Sequence, residues 1–174
     1  MEPTRDALAA LFVAQARKRL AAAVKRIGHC LDQLSDEQVW WRPGAAHNSI
    51  ANLVLHICGN LRQWIVSGVG DAADVRDRPQ EFAERGPIPK AELFRRLSDV
   101  AREADAALAR VTAAQLEAAR RIQGFDETGL SAIFDSLAHL SGHAQEIVYI
   151  TRLQLGDRYR FAWVPTTPEE GAPH

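Results

Sequence analysis

Cysteine is scarce in this chain, which has 2 in 174 residues, Cys30 and Cys58. They form neither a CxxC unit nor a disulfide framework, so both are expected to be small buried apolar residues. Long apolar runs are missing: no stretch approaches the roughly 18 residues that a membrane span needs. Neither sign of charge dominates, with Lys+Arg 21 against Asp+Glu 22 and a formal net charge of −1. That balance gives no electrostatic footprint for nucleic acid. The opening "MEPTRDALAALFVAQARKRL" has early charges and no uninterrupted apolar stretch. No secretory leader is therefore expected, and the expected setting is the cytoplasm. Period-two alternation is absent as well, and no strand is predicted.

What the chain does have is helical period. Leu8, Leu11, Phe12, Leu20, Val24, Ile27, Leu31 and Leu34 stripe a first segment from about Thr4 to Leu34. A second runs from about Ser49 to Ser67, capped by Asn48 or Ser49 and closed by Gly68 and Gly70. A third starts at Pro89, and Leu93, Leu97, Val100, Ala104 and Leu108 follow at bundle spacing. A fourth spans Gly129 to Leu155 and stops at Gly156. Thr112 and Gln115 have the spacing of a capping box, which predicts a short extra helix. The fold class is all-α, a four-helix bundle with long crossover connections. The link "GVGDAADVRDRPQEFAERGPIP" is long enough to let helices two and three run parallel. Residues 1–156 are expected to form the bundle and 157–174 a tail. In that tail Tyr159, Phe161 and Trp163 would dock, and the last ten residues would be loose.

The chemistry concentrates in histidine. His139 and His143 lie four apart in "LAHLSGHAQEIVYI" and project from one helix face. Glu146 shares that face, about 20° from His139 at 100° per residue. On the second helix, His56 lies on a stripe with Ser49, Asn52, Asn60, Gln63 and Ser67, where Arg62 is the only charge between Ser49 and Gly70. A face of amides and hydroxyls without charges reads as the lining of a sheltered cleft. Three neutral imidazoles suit zinc, nickel, iron or copper, and three protein ligands leave an ion open for catalysis. The residues alone leave two readings open, a metal site and ordinary hydrogen-bonded histidines.

The segments "SIANLVLHICGNLRQWIVSGVG" and "IFDSLAHLSGHAQEIVYITRLQLG" resemble the DinB-like superfamily of metal-binding four-helix bundles. The resemblance runs from helix one to about Gly156. The superfamily's pattern, one histidine on helix two and an HxxxH pair on helix four, maps onto His56, His139 and His143 without departure. It implies a divalent transition metal, zinc or nickel first and iron or manganese next, and a homodimer. Its characterised relatives include mycothiol-dependent maleylpyruvate isomerase, bacillithiol and other low-molecular-weight thiol S-transferases, and metal-dependent hydrolases. The expectation is a divalent-metal-dependent enzyme with S-transferase-like or hydrolytic chemistry on a small molecule, in which a low-molecular-weight thiol is a candidate cofactor. Glu146 is the candidate base or acceptor for a ligand ring, and Asn60 and Gln63 are candidates to hold a ring or substrate. Arg62, Arg76 and Arg78 are candidate contacts for an acidic thiol. The alternative is a non-catalytic bundle, held by its metal, that serves as a dimeric stress-response or interaction protein.

Overall fold

A computed structural model of the chain describes residues 4–164. The closing "PTTPEEGAPH", expected to be loose, lies outside the described residues. Helix α1 (Arg5–Gln33) starts where Thr4 Oγ1 accepts from Ala7 N and stops at Leu34, whose backbone turns extended. A short α2 (Asp36–Trp40) follows, its capping box formed by Ser35 and Gln38. Helix α3 (Ile50–Leu61) opens on a second box, Ser49 with Asn52, and continues over Arg62–Ser67 as a wider π-helical turn. The crossover, residues 68–89, contains one helical piece, α4 (Arg78–Ala83). Helix α5 (Lys90–Leu108) begins after Pro89, α6 (Ala113–Glu117) starts at the Thr112–Gln115 box, and α7 (Gly129–Leu155) ends at Gly156.

Side-chain pairs fix the directions of the long helices. Lys90 Nζ donates to Leu34 O at 2.5 Å, and Arg17 meets Asp105 at 2.7 Å, so α5 runs antiparallel to α1. Helix α3 meets α5 through Arg62 and Glu103 at 3.0 Å, and a Cβ added to Gly70 would lie 3.1 Å from Ala107 Cβ. Both contacts advance in the same sense along the chain, so α3 and α5 run parallel, and the crossover returns the chain over the length of the fold. Helix α7 packs on α1 and, antiparallel, on α3. Leu20, Ile27, Leu53, Ile57, Leu61, Leu97 and Ile133 fill the space between these helices and are at most 2% exposed. Each such side chain contributes about 1.5–3 kcal/mol of burial.

The chain is not helical throughout. Strands β1 (Ala119–Ile122) and β2 (Phe125–Thr128) form an antiparallel hairpin with Ile122 opposite Phe125. Its two-residue turn takes positive φ at Gln123 (53°) and Gly124 (86°). Such a turn follows the right-handed twist of the strands. Gly124 adopts it freely, whereas Gln123 gives up about 1–2 kcal/mol there. Alternation was invisible because only Ile122 of the two strands is buried. At the chain's end, Tyr159 packs against the core, Arg152 lies over Phe161, and Trp163 is 74% exposed. Trp40 is half-buried and donates from Nε1 to Ile88 O at 3.0 Å, tying α2 to the end of the crossover. No helix among the described residues is long and apolar enough to cross a membrane.

Candidate metal centre

The Asn60–Ser136 hydrogen bond, 2.8 Å and buried, sets the register between α3 and α7. One turn from it on each helix, His56 and His139 meet with their Nε2 atoms 2.9 Å apart. His143, one turn further along α7, closes the group, with ring centroids 4.4 Å from His139 and 5.2 Å from His56. One nitrogen from each of the three rings lies within 4.8 Å of the others. A tetrahedral ion bonded at about 2.0–2.1 Å to each nitrogen sets them roughly 3.3 Å apart, which small ring rotations reach. The donor set therefore fits one divalent transition ion.

Two of the three rings are prepared from their far side. His56 Nδ1 lies 2.8 Å from Glu81 Oε2, and His143 Nδ1 lies 2.8 Å from Glu146 Oε2. A carboxylate on Nδ1 takes that nitrogen's proton in a hydrogen bond and leaves Nε2 with a lone pair. Burial above all, then the two neighbouring imidazoles and the Arg76 and Arg78 charges, pushes His139 down to about 4. Its ring is neutral at physiological pH, the state a metal ligand needs. Burial works to raise the Glu81 carboxyl, but hydrogen bonds from Arg76 and His56 prevail and hold it below the usual carboxylate range.

Glu81 comes from α4, and the sequence pattern did not single it out. Arg76 grips it with a fork, Nε to Oε1 at 2.7 Å and Nη2 to Oε2 at 2.9 Å. Arg76 Nη2 also lies 3.1 Å from His56 Nδ1. Since Nδ1 donates to the carboxylate, that approach is a consequence of the shared Oε2 and no further bond. Signals were present, a carboxylate and an arginine in the long link, but nothing in the spacing tied either one to His56.

Other expected residues fall in several places. Asn60 lines a cleft of about 300 Å³ beside His56 and His139, together with Trp64, Arg78 and Gln123. Gln63 lies off the cleft, because both ends of its amide hold the crossover: Nε2 donates to Asp74 at 2.8 Å and Oε1 accepts from Arg76 at 2.9 Å. The polar stripe of α3 is largely that seam, since Asn52 Nδ2 donates to Glu81 O at 2.9 Å and Ser67 Oγ to Ala73 O at 3.0 Å. Arg62 pairs with Glu103 on the outside. Arg78 lies over the Phe82 ring, 5.0 Å from its centroid, and Phe82 in turn leans on His56 at 4.8 Å. His29, set aside as a ligand, bonds Arg160 O through Nε2 at 2.6 Å.

A family model described as "Protein of unknown function (DUF1572)" matches residues 7–167. The chain belongs to this family. The DUF1572 chain also has the fold of solved DinB-like proteins. A conserved protein from Enterococcus faecalis superposes with a TM-score of 0.71 at 16% identity, covering 83% of this chain and 97% of that one. A DinB-like protein from Bacillus cereus gives 0.63 at 17%, covering 82% and 90%. The DinB-like YjoA of Bacillus subtilis gives 0.62 at 16%, covering 80% and 92%. No curated protein matches the DUF1572 chain. The all-α class and the DinB-like resemblance are thereby borne out, and the histidine triad is compatible with metal binding.

Proposed function

We propose that this protein is a divalent-metal-dependent enzyme acting on a small molecule, by thiol transfer or by hydrolysis. The observation that carries the reading is the cleft: it opens directly on His56 and His139, so an ion held by the triad would face a space of about 300 Å³. A structural zinc is usually closed by four protein ligands, whereas three histidines from two helices leave positions for a reactant. When bound, a divalent ion supplies what imidazole lacks, lowering the pKa of a water or thiol towards neutrality.

The chain's own residues do the rest. His56, His139 and His143 each present a ring nitrogen towards one point. Of the two roles expected for Glu146, base or acceptor for a ligand ring, the second is the better supported, because its Oε2 is engaged with His143 Nδ1. Asn60 is the substrate contact: its Oδ1 accepts from Ser136, which leaves the amide nitrogen to face the cleft. Trp64 of the π-helical turn and Gln123 of the hairpin turn, joined at 3.3 Å, form one wall of the cleft. A homodimer belongs to the same reading, and the exposed apolar side chains of Leu8, Leu11, Leu130 and Phe134 support it as surface for such a contact.

The test is an assay of metal-stripped and metal-restored protein against thiol–electrophile pairs and ester or amide substrates. Turnover that returns with one equivalent of metal supports the enzyme. Loss of thermal stability on stripping, with no activity on restoration, favours the alternative of a metal-fastened, non-catalytic bundle.

A further inference from the structure

A loop that fastens to a bundle ordinarily does so through apolar side chains. The crossover has such anchors at its two ends, Val69 and Ile88, but between them it is fastened by a charged group. Among residues 71–89 the single buried residue is Glu81, 9% exposed, while Val75 is 74% exposed. Glutamate is almost never so buried unless it is paired. Here every feature around it serves that pairing. Arg76, whose side chain is 3% exposed, neutralises it with both prongs of a fork, and Gln63 and Asp74 hold Arg76 and its loop in place. The helix beneath is cut away to receive it: a Cβ on Gly59 would lie 1.8 Å from Glu81 Oε1 and 2.9 Å from Arg76 Nε. Any larger residue at position 59 would push the carboxylate off the helix.

We infer that Glu81 is a positioning residue for the three-histidine centre, acting through His56, and that the metal and the crossover therefore hold one another in place. The inference rests on the reading that the histidines bind a metal. Its chemistry is local. His56 can offer Nε2 to an ion only if Nδ1 keeps its proton and the ring keeps its angle, and the 2.8 Å contact with Glu81 does both. An ion drawing electron density from Nε2 makes the Nδ1 proton more acidic and strengthens its bond to the carboxylate. By linkage, whatever tightens that bond also tightens the attachment of the loop that carries Glu81.

The experiment measures zinc affinity of the full chain by competition with a chromophoric chelator, and amide hydrogen exchange over residues 74–84 with and without zinc. Glu81→Gln and Gly59→Ala are each expected to weaken zinc about 10–100-fold. Glu81→Asp should recover part of that loss, and the Co²⁺ absorption spectrum should change in Glu81→Gln, which a purely structural role would not produce. Zinc should slow exchange across residues 74–84 in the wild type. Wild-type zinc affinity in Glu81→Gln overturns the inference while leaving the metal site standing. Unchanged exchange on adding zinc to the wild type overturns it too, even if the variants fail to fold. A wild type that binds no zinc or cobalt at all removes the metal reading and this inference together.

Discussion

Asn60 of α3 and Ser136 of α7 share a buried hydrogen bond of 2.8 Å, and the two ligand-bearing helices are keyed to each other through it. Removing one partner leaves the other buried without a bond, which costs about 1–3 kcal/mol. Ser136→Ala is therefore expected to lower the free energy of unfolding in urea by that amount. It should also loosen the meeting of His56 with His139 and weaken metal binding. A variant as stable as the wild type would show that the core packing alone sets the register.

The ligand set makes its own prediction. His56→Ala, His139→Ala and His143→Ala should each lower zinc occupancy measured by elemental analysis of untagged protein, and His29→Ala should not. His29 is engaged with the backbone of Arg160 instead. Equal occupancy across the four variants would remove the assignment.

How much of this was legible depended on where the signal lay. The four long helices were readable because their apolar residues recur over many turns and some of their ends carry explicit chemistry, Ser49 capping α3 and Gly156 closing α7; the Thr112 box likewise gave away the short α6. The triad was readable because HxxxH places two rings on one face and His56 sits among uncharged polar residues. That polar stripe correctly signalled shelter, yet it could not name the cover. The crossover that provides it is joined by contacts such as Asn52 to Glu81 O, between residues far apart in the chain. Glu81 was hidden for the same reason. The hairpin was missed because its strands are short and mostly exposed, leaving Gln123–Gly124 as the only cue.

Cys58 should be chemically quiet despite its position in a protein with a thiol-related reading. Burial pushes its thiol up to about 12. At pH 8 the thiolate fraction is then about three orders of magnitude below that of an ordinary cysteine near 8.5. Iodoacetamide should modify Cys58 slowly in the native protein and readily in denaturant. Stoichiometric labelling of the native protein within minutes would contradict this.

Glu92 gives a pH-dependent prediction away from the site. Hydrogen bonds from Arg95 and Arg96 hold its carboxyl down at about 2. A depressed value in the folded state means that the ionised form is favoured on folding. The contribution is present above the ordinary carboxylate pKa and is lost as pH falls from there through about 2. Glu92→Gln should thus lower Tm at pH 7, have little effect near pH 2, and lose most of its effect in high salt because the Arg95 and Arg96 partners are solvent-exposed. An identical Tm difference at both pH values would rule out the pairing as its source.

The most direct test of the account is a crystal structure of untagged protein with anomalous data at the metal edge. The account predicts one peak per chain, about 2.0–2.2 Å from a nitrogen of each of His56, His139 and His143, with an unfilled protein position facing the cleft. Rings turned apart with no peak between them, or an ion closed off by a fourth protein ligand, would contradict it.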